Sequence, residues 1–370
     1  VVVILKKILL GLCLCSIFIF QGILENTFII IFTLAMYKYI KDKDTKNIAV
    51  CFIIAYFILN ITITGFMRDK IDIGNIETDF DEPQDKTAVV LLYEGEDETY
   101  HLKERASEIY QTTGYSSYFD MIVRLHKYKQ VYESLGSSHF KHTSYEIAEG
   151  LRNKLDNDYI VINSYLYTKP YFENTLEDII SKGYKDIVIC PMFITEGTDY
   201  KVFKNRLDKM EVSRYEVNVK TTDVFYKSNT LAKGYKDEVL KNIRDKDMDV
   251  GVLLVGLNNE NNLEQDVLFR EKIKEYILNE KKDNIQIKLP LLENNKKDII
   301  KSGEELLEYG IDALYLVMPT STIETSYIRY LAEHVLQKIN TSYTKFYYIG
   351  PLNEEHIIIE ELYTKITLLK

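Results

Sequence analysis

The chain has 370 residues, 46% of them hydrophobic and 28% charged, with a net charge of −10 at neutral pH. That length exceeds what one hydrophobic core organises, so an anchor plus a globular body of one or two lobes is expected. Residues 1–70 hold eight Lys/Arg against four Asp/Glu, a net of +4 that leaves −14 for the rest. The globular part is therefore acidic, and no basic cluster interleaved with aromatics offsets it, which argues against nucleic acid as a partner.

Ile8 to Leu24 and Ile48 to Phe66 are uncharged runs of 17 and 19 residues, close to the roughly 20 that cross a hydrocarbon layer. Between them Thr27 to Met36 is apolar but short. It either completes a hairpin through a turn at Glu25 and Asn26 or lies in the interface with Tyr37, Lys38 and Tyr39 at headgroup level. Residues 1–70 thus read as a multi-pass segment of two or three transmembrane helices, with membrane lipid as partner. A cleaved signal peptide is the alternative for the first run, but no small-residue cleavage site follows it and a second apolar run does. Lys6 and Lys7, and then Lys38, Lys41, Lys43 and Lys46, mark two cytoplasmic segments, which agree for three crossings and conflict for two. Residues 71–86 carry six acidic residues, one Gly and one Pro without periodicity, the composition of a solvated linker.

From Ala88 onward short apolar runs alternate with amphipathic stretches. The runs fall at 88–93, 159–167, 186–190, 214–222, 250–256, 285–290, 313–319 and 345–350. Such alternation predicts parallel strands with helices on both faces. A mostly helical, Tyr-rich insertion from Leu102 to Leu155 interrupts it. Cys13, Cys15 and Cys51 lie in apolar stretches and Cys190 closes a buried-strand pattern, so no disulfide framework or zinc motif is expected.

An internal repeat sharpens the reading. LEDIISKGYKDIVICPMFITEGTDY (176–200) and EELLEYGIDALYLVMPTSTIETSY (304–327) share a helix, a Gly turn, a strand, a Pro and a polar loop that opens another helix. The strand openings VLLYEG (90–95) and VLLVGL (252–257) echo each other as well. Two similar α/β lobes are expected, the first over 87–245 and the second over 246–370. In doubly wound sheets ligands sit beyond the carboxyl ends of the strands, so the four loops after these strands should face one cleft. Glu196 and Glu324 each stand five residues after their Pro (Pro191, Pro319) and would be pseudo-symmetric partners at its mouth. For Glu196 the competing reading is a helix N-terminal carboxylate favoured by the dipole.

At this point Thr87 to Lys370 resembles the ferrochelatase family of chelatase-like proteins. The resemblance is carried in order by AVVLLYEG, by YESLGSSHFKHTSYEIAEGL (132–151), by INSYLYTKPYFENTLEDIISKGYKDIVICPMF (162–193), by VGVLLVGL and by LVMPTSTIET. It implies two Rossmann-like lobes with parallel sheets clasping a tetrapyrrole, and insertion of a divalent metal into porphyrin, the metal being substrate and no cofactor being required. The family glutamate matches Glu324, a candidate base, with Glu196 as second carboxylate. Tyr93 and Ser138 match positions that touch the macrocycle, although a packed ring and a turn hydroxyl explain them equally. Met192 and Leu257 stand where family members carry histidines, Ile328 and Ala332 where acidic residues follow the glutamate, and the tryptophan near Leu292 is missing. Met192 would then be a soft ligand or an apolar gap-filler. His139 and His142 are the relocation candidates, and the metal ligands are unassigned. Three readings follow: a membrane-anchored ferrochelatase-like enzyme, a catalytically silent member that binds porphyrin or a protein partner, and a structural domain without ligand.

Overall fold

The computed structural model describes residues 2–41, 47–69, 84–243, 248–257, 263–280, 283–292, 297–339, 344–352 and 355–369. The chain forms two compact units, residues 1–72 with 97–138, and residues 73–96 with 139–370. The acidic stretch read as a linker lies outside the described residues up to position 83.

The first unit is helical. α1 (Val2–Ile19), α2 (Ile23–Lys41) and α3 (Ile48–Thr62), the last continued by a π-helical turn to Met67, are all long and apolar enough to cross a membrane. The apolar stretch after Glu25 is thus part of a 19-residue helix, Ile23–Lys41, in which Glu25 and Asn26 lie in the first turn. α4 (Leu102–Thr113) and α5 (Ser117–Leu135) form a hairpin that belongs to the same unit. Its apolar face, Ala106, Ile109, Met121, Ile122 and Leu125, buries against Cys15, Ile19 and Ile63. Polar ties fix the register. Asn60 Oδ1 accepts the Ile122 N–H at 2.9 Å, and the buried Lys129 ammonium donates to Ile17 O at 2.9 Å and pairs with Glu25 at 2.7 Å. Residues 97–138, which include the first part of the insertion read above from Leu102, cluster with the apolar helices, whereas the rest of that insertion joins the sheets.

The second unit runs β1 (Thr87–Tyr93), α6 (Phe140–Lys154), β2 (Tyr159–Tyr165), α7 (Phe172–Ser181), β3 (Asp186–Pro191), α8 (Thr198–Lys209), β4 (Asn218–Thr221) and α9 (Asn229–Asn242). It continues through β5 (Val250–Leu254), β6 (Gly256–Leu257), α10 (Leu263–Glu280), β7 (Ile285–Lys288), β8 (Leu291–Leu292), α11 (Lys297–Glu308), β9 (Ala313–Val317), α12 (Ser326–Leu336), β10 (Lys345–Ile349) and α13 (Glu355–Thr367). Two four-stranded sheets result, ordered β2-β1-β3-β4 and β10-β9-β5-β7, and every pairing in them is parallel. With β5, β7, β9 and β10 taken as first to fourth, the second sheet repeats the order of the first. The duplication legible in the sequence is therefore a duplication of topology.

Local chemistry explains the repeat. Gly183 and Gly310 hold positive φ at the turn between helix and strand in each copy, a conformation that costs a residue without Cβ least. The central strands β1, β3, β5 and β9 are buried almost throughout, as parallel strands covered on both faces must be. The run at 214–222 pairs only from Asn218 onward. One core, from Val89 and Cys190 to Val252 and Tyr315, passes through α6, α9, α10 and α13 and joins the lobes. Separate cores close the outer face of each sheet.

Candidate functional site

The loops after β1, β3 and β9 meet in the second unit. Met192 O accepts the Thr322 hydroxyl at 2.8 Å, and Glu96 Oε2 accepts the Ser326 N–H at 2.8 Å. Gln265 of α10 takes the Glu196 N–H on Oε1 at 2.8 Å and donates through Nε2 to Glu196 Oε2 at 3.2 Å. All three ties run from the first lobe to the second. Of the four strand-end loops expected at one cleft those after β1, β3 and β9 meet, and the one after β5 passes through positions 258–262, outside the described residues, before α10 supplies Gln265. Beside them lies a pocket with about 30 Å³ of free volume, lined among others by Glu94, Met192, Asp199, Tyr200 and Thr320.

Glu324 is half-buried one residue before the N-cap of α12, where Thr325 accepts the Ile328 N–H at 3.2 Å. Its Oε1 and the Tyr348 hydroxyl converge on the bare face of Gly350. A Cβ there would stand 2.5 Å from the carboxylate oxygen and 3.1 Å from the hydroxyl. Only glycine leaves that space open. The Tyr348 hydroxyl is buried with no hydrogen bond of ordinary geometry, and the Glu324 carboxylate is its strongest charged neighbour. Burial pushes the Glu324 carboxyl above the usual glutamate range, against the Tyr348 hydroxyl and the Arg329 guanidinium, while Glu333 and Glu96 add to the rise. A carboxyl held in that way exchanges a proton more readily near neutral pH than a solvated one. Tyr348 is pushed far up by burial and by Glu324, so it stays protonated and keeps an O–H to donate.

Glu196 joins the site through Gln265 and not through Glu324. Tyr93 is buried at the end of β1 between Phe140 (ring centroids 6.0 Å) and Tyr165 (5.9 Å), the environment of a packed ring. Ser138 is part of the other unit, where its N–H donates to Glu98 O at 3.0 Å. Met192 is buried in the shared core. Leu257 is half-buried on β6 opposite Leu292. Beneath that short pair Arg270, 1% exposed, is bonded to Asp266, Leu254 O and Pro290 O, and a side chain at Gly256 would collide with it.

Ile328 and Ala332 are buried in the outer core of the second lobe, which is why they are apolar: the helix turns that face away from the site. Neither relocation candidate is enclosed, since His139 is exposed and His142 pairs with Glu146 on its own helix at 3.0 Å. Among the described residues no group of three His, Cys, Asp or Glu could hold a metal. Cys190 is buried and free, its thiol pushed up to about 12 by burial, so it is neither nucleophile nor ligand.

Sequence reasoning missed Glu96, Tyr348 and Asp199. Glu96 follows the Tyr-Glu-Gly turn after β1 and Tyr348 precedes Gly350, so each had a local signal, a polar residue at a strand end. Asp199 is half-buried where Tyr167 donates to its Oδ1 at 2.6 Å, and desolvation raises its pKa.

The fold so defined is of the chelatase-like α/β type. Residues 136–241 match the family model CbiX. Over 128 residues the chain is 23% identical to the ferrochelatase of Aquifex aeolicus, a match covering 33% of this chain and 40% of that relative's length. Among solved structures it is similar to SirB from Bacillus subtilis with Fe3+ (14% identity, TM-score 0.50, covering 76% of this chain and 95% of that one). It is likewise similar to the sirohydrochlorin chelatase SirB from Bacillus subtilis subspecies spizizenii in complex with cobalt (11%, 0.51, 76% and 94%).

Proposed function

We propose that this protein is a membrane-anchored, chelatase-type tetrapyrrole handler in which Glu324 takes protons from the macrocycle as a divalent metal enters. The carrying observation is the half-buried Glu324 carboxyl converging with Tyr348 beside Glu96, at the carboxyl ends of strands in a duplicated parallel fold. Metal insertion exchanges two pyrrole N–H protons for one divalent cation, and a carboxylate holds one proton at a time, so Glu324 would take them in turn and pass each to solvent before the next. The metal is substrate, and its ligands on this chain are unassigned.

Porphyrin of the haem type and sirohydrochlorin are both compatible with this chemistry. A second reading, binding without turnover, is favoured by Leu257: a leucine offers neither a lone pair to metal nor a site for a proton. The reading of α1 to α3 as three spans is part of the same proposal.

Titration of the full chain in detergent with a free-base porphyrin and with sirohydrochlorin, followed by visible absorbance, tests it. A band shift for either at micromolar protein supports the site. Its absence for both rejects it. Addition of Fe²⁺ or Co²⁺ should then yield the metallated ring faster than in buffer, and Glu324→Gln should slow that step by about 10²- to 10⁴-fold, the range of a positioned base. Binding without acceleration assigns the second reading.

A further inference from the structure

The hairpin of α4 and α5 carries an outward stripe that its own packing does not explain. Phe119 and Val123 lie four residues apart on one side of α5, Tyr115 stands in the 3₁₀ turn (Gly114–Ser116) that opens it, and all three are exposed, Tyr115 by 82% and Phe119 by 66%. Lys127, exposed, continues the stripe at the same spacing. The opposite side of the hairpin supplies the buried residues that pack on α1 and α3.

The position of the stripe is fixed by three contacts with α3. Tyr56 Oη donates to Phe119 O at 2.7 Å, the rings of Phe57 and Phe119 meet edge to face at 6.5 Å, and Asn60 holds the Ile122 N–H. Phe57 itself belongs to an outward face of α3 with Ile53, Ile61 and Phe66, all exposed. The aromatic stripe is therefore continuous with the apolar surface of a helix long enough to cross a membrane. From Phe57 to Met67 the rise is about 15 Å, which sets Phe119 inward of the end of the span. Toward its carboxyl end α5 meets the last turn of α1, where Lys129 donates to Ile17 O, and the turn after it, where Gln21 Nε2 donates to Lys129 O at 3.5 Å. Along the stripe the side chains change from rings at Tyr115 and Phe119 to a lysine at Lys127. Amphipathic rings and lysines occupy that order at a bilayer interface.

We infer that the α4–α5 hairpin is an interfacial membrane element, its Tyr115, Phe119 and Val123 stripe seated among lipid acyl chains at the headgroup boundary beside α3. This rests on the reading of α1 to α3 as spans. The helices 102–135 would then be membrane surface and not lobe surface.

The chain has no tryptophan, so Tyr115→Trp and Phe119→Trp each introduce a single indole with little change of shape. The full-length variants are reconstituted in phosphatidylcholine vesicles with and without brominated acyl chains. Leu34→Trp on the exposed face of α2 reports on the spans, and Tyr309→Trp in the second unit reports on water. The expected result is blue-shifted emission at 115 and 119, lost in brominated vesicles and insensitive to iodide, with the opposite at 309. Indoles at 115 and 119 that iodide quenches and bromine does not, while position 34 is quenched by bromine, overturn the hairpin but leave the spans. Shielding from both quenchers assigns the stripe to protein, a second copy included, and also overturns it. Failure of bromine to quench position 34 rejects the spans, and the hairpin proposal with them.

Discussion

Glu96 Oε2 accepts the backbone N–H of Ser326 at 2.8 Å, and this bond joins the loop after β1 to the first residue of α12 across 230 positions of chain. Both residues are buried. The first N–H groups of a helix have no partner within it, and α12 finds two in side chains, Glu96 for Ser326 and Thr325 for Ile328. Glu96→Ala leaves a buried donor unmet and should cost about 1–3 kcal/mol, read as a lower thermal midpoint of the full chain in detergent. Glu96→Gln keeps an acceptor and should lose less. Wild-type melting of the alanine variant would mean that the bond contributes nothing.

Glu324 predicts a pH signature with a definite sign. Burial raises its pKa in the folded state, so between the ordinary glutamate range and that raised value the folded chain binds more protons than the unfolded one. Stability contributed by this group is complete below the ordinary range and is lost as pH rises through the raised value. Glu324→Gln cannot ionise, and its thermal midpoint should fall less over that interval. Tyr348→Phe removes a group that opposes the rise and should move the loss to higher pH. Superimposable pH profiles for the three proteins would show the carboxyl to be solvated.

Leu257→His tests whether the scaffold still accommodates the chemistry that the strand end lacks. Leu257 is half-buried and faces Leu292 across two short strands, so an imidazole there is accessible to a metal without a core cavity being opened. The variant should gain a Co²⁺ absorption band absent from wild type, because imidazole is a far better ligand for that ion than methyl groups. Equal spectra would place the position away from the metal path.

Asp266→Ala should be among the most destabilising single changes in the second lobe. Arg270 is 1% exposed, and its Nη2 donates to Asp266 Oδ2 at 2.6 Å. Removal of the carboxylate strands a buried guanidinium, at a cost of about 3–5 kcal/mol. Burial raises the Asp266 pKa and Arg270 opposes that rise, as expected of a desolvated pair. Pulse proteolysis of the full chain would register the loss, and an unchanged cleavage midpoint would contradict the pairing.

The strands were legible because buried parallel strands read as continuous apolar runs, and the eight runs in the sequence match eight strands within a few residues. The pairing of Glu196 with Glu324 was drawn from repeat symmetry, but symmetry relates positions and not contacts. Glu196 found Gln265 instead. Met192 and Leu257 were singled out by what the resemblance lacked there; the fold buries Met192 beside the small pocket at the lobe junction and half-buries Leu257 against Leu292. Ile328 and Ala332 looked like lost acidic residues, yet their helix phase directs them into a core where a charge would be costly.

Local pattern alone determined the apolar helices, the duplicated α/β units and the glycine turns between them, because each depends on residues a few positions apart. The union of Glu324 with Tyr348 and of Glu96 with Ser326, and the clustering of the Tyr-rich hairpin with the apolar helices, were decided only in three dimensions. These contacts span from two dozen to more than two hundred residues, and no periodicity in a sequence encodes which distant surfaces lose water together.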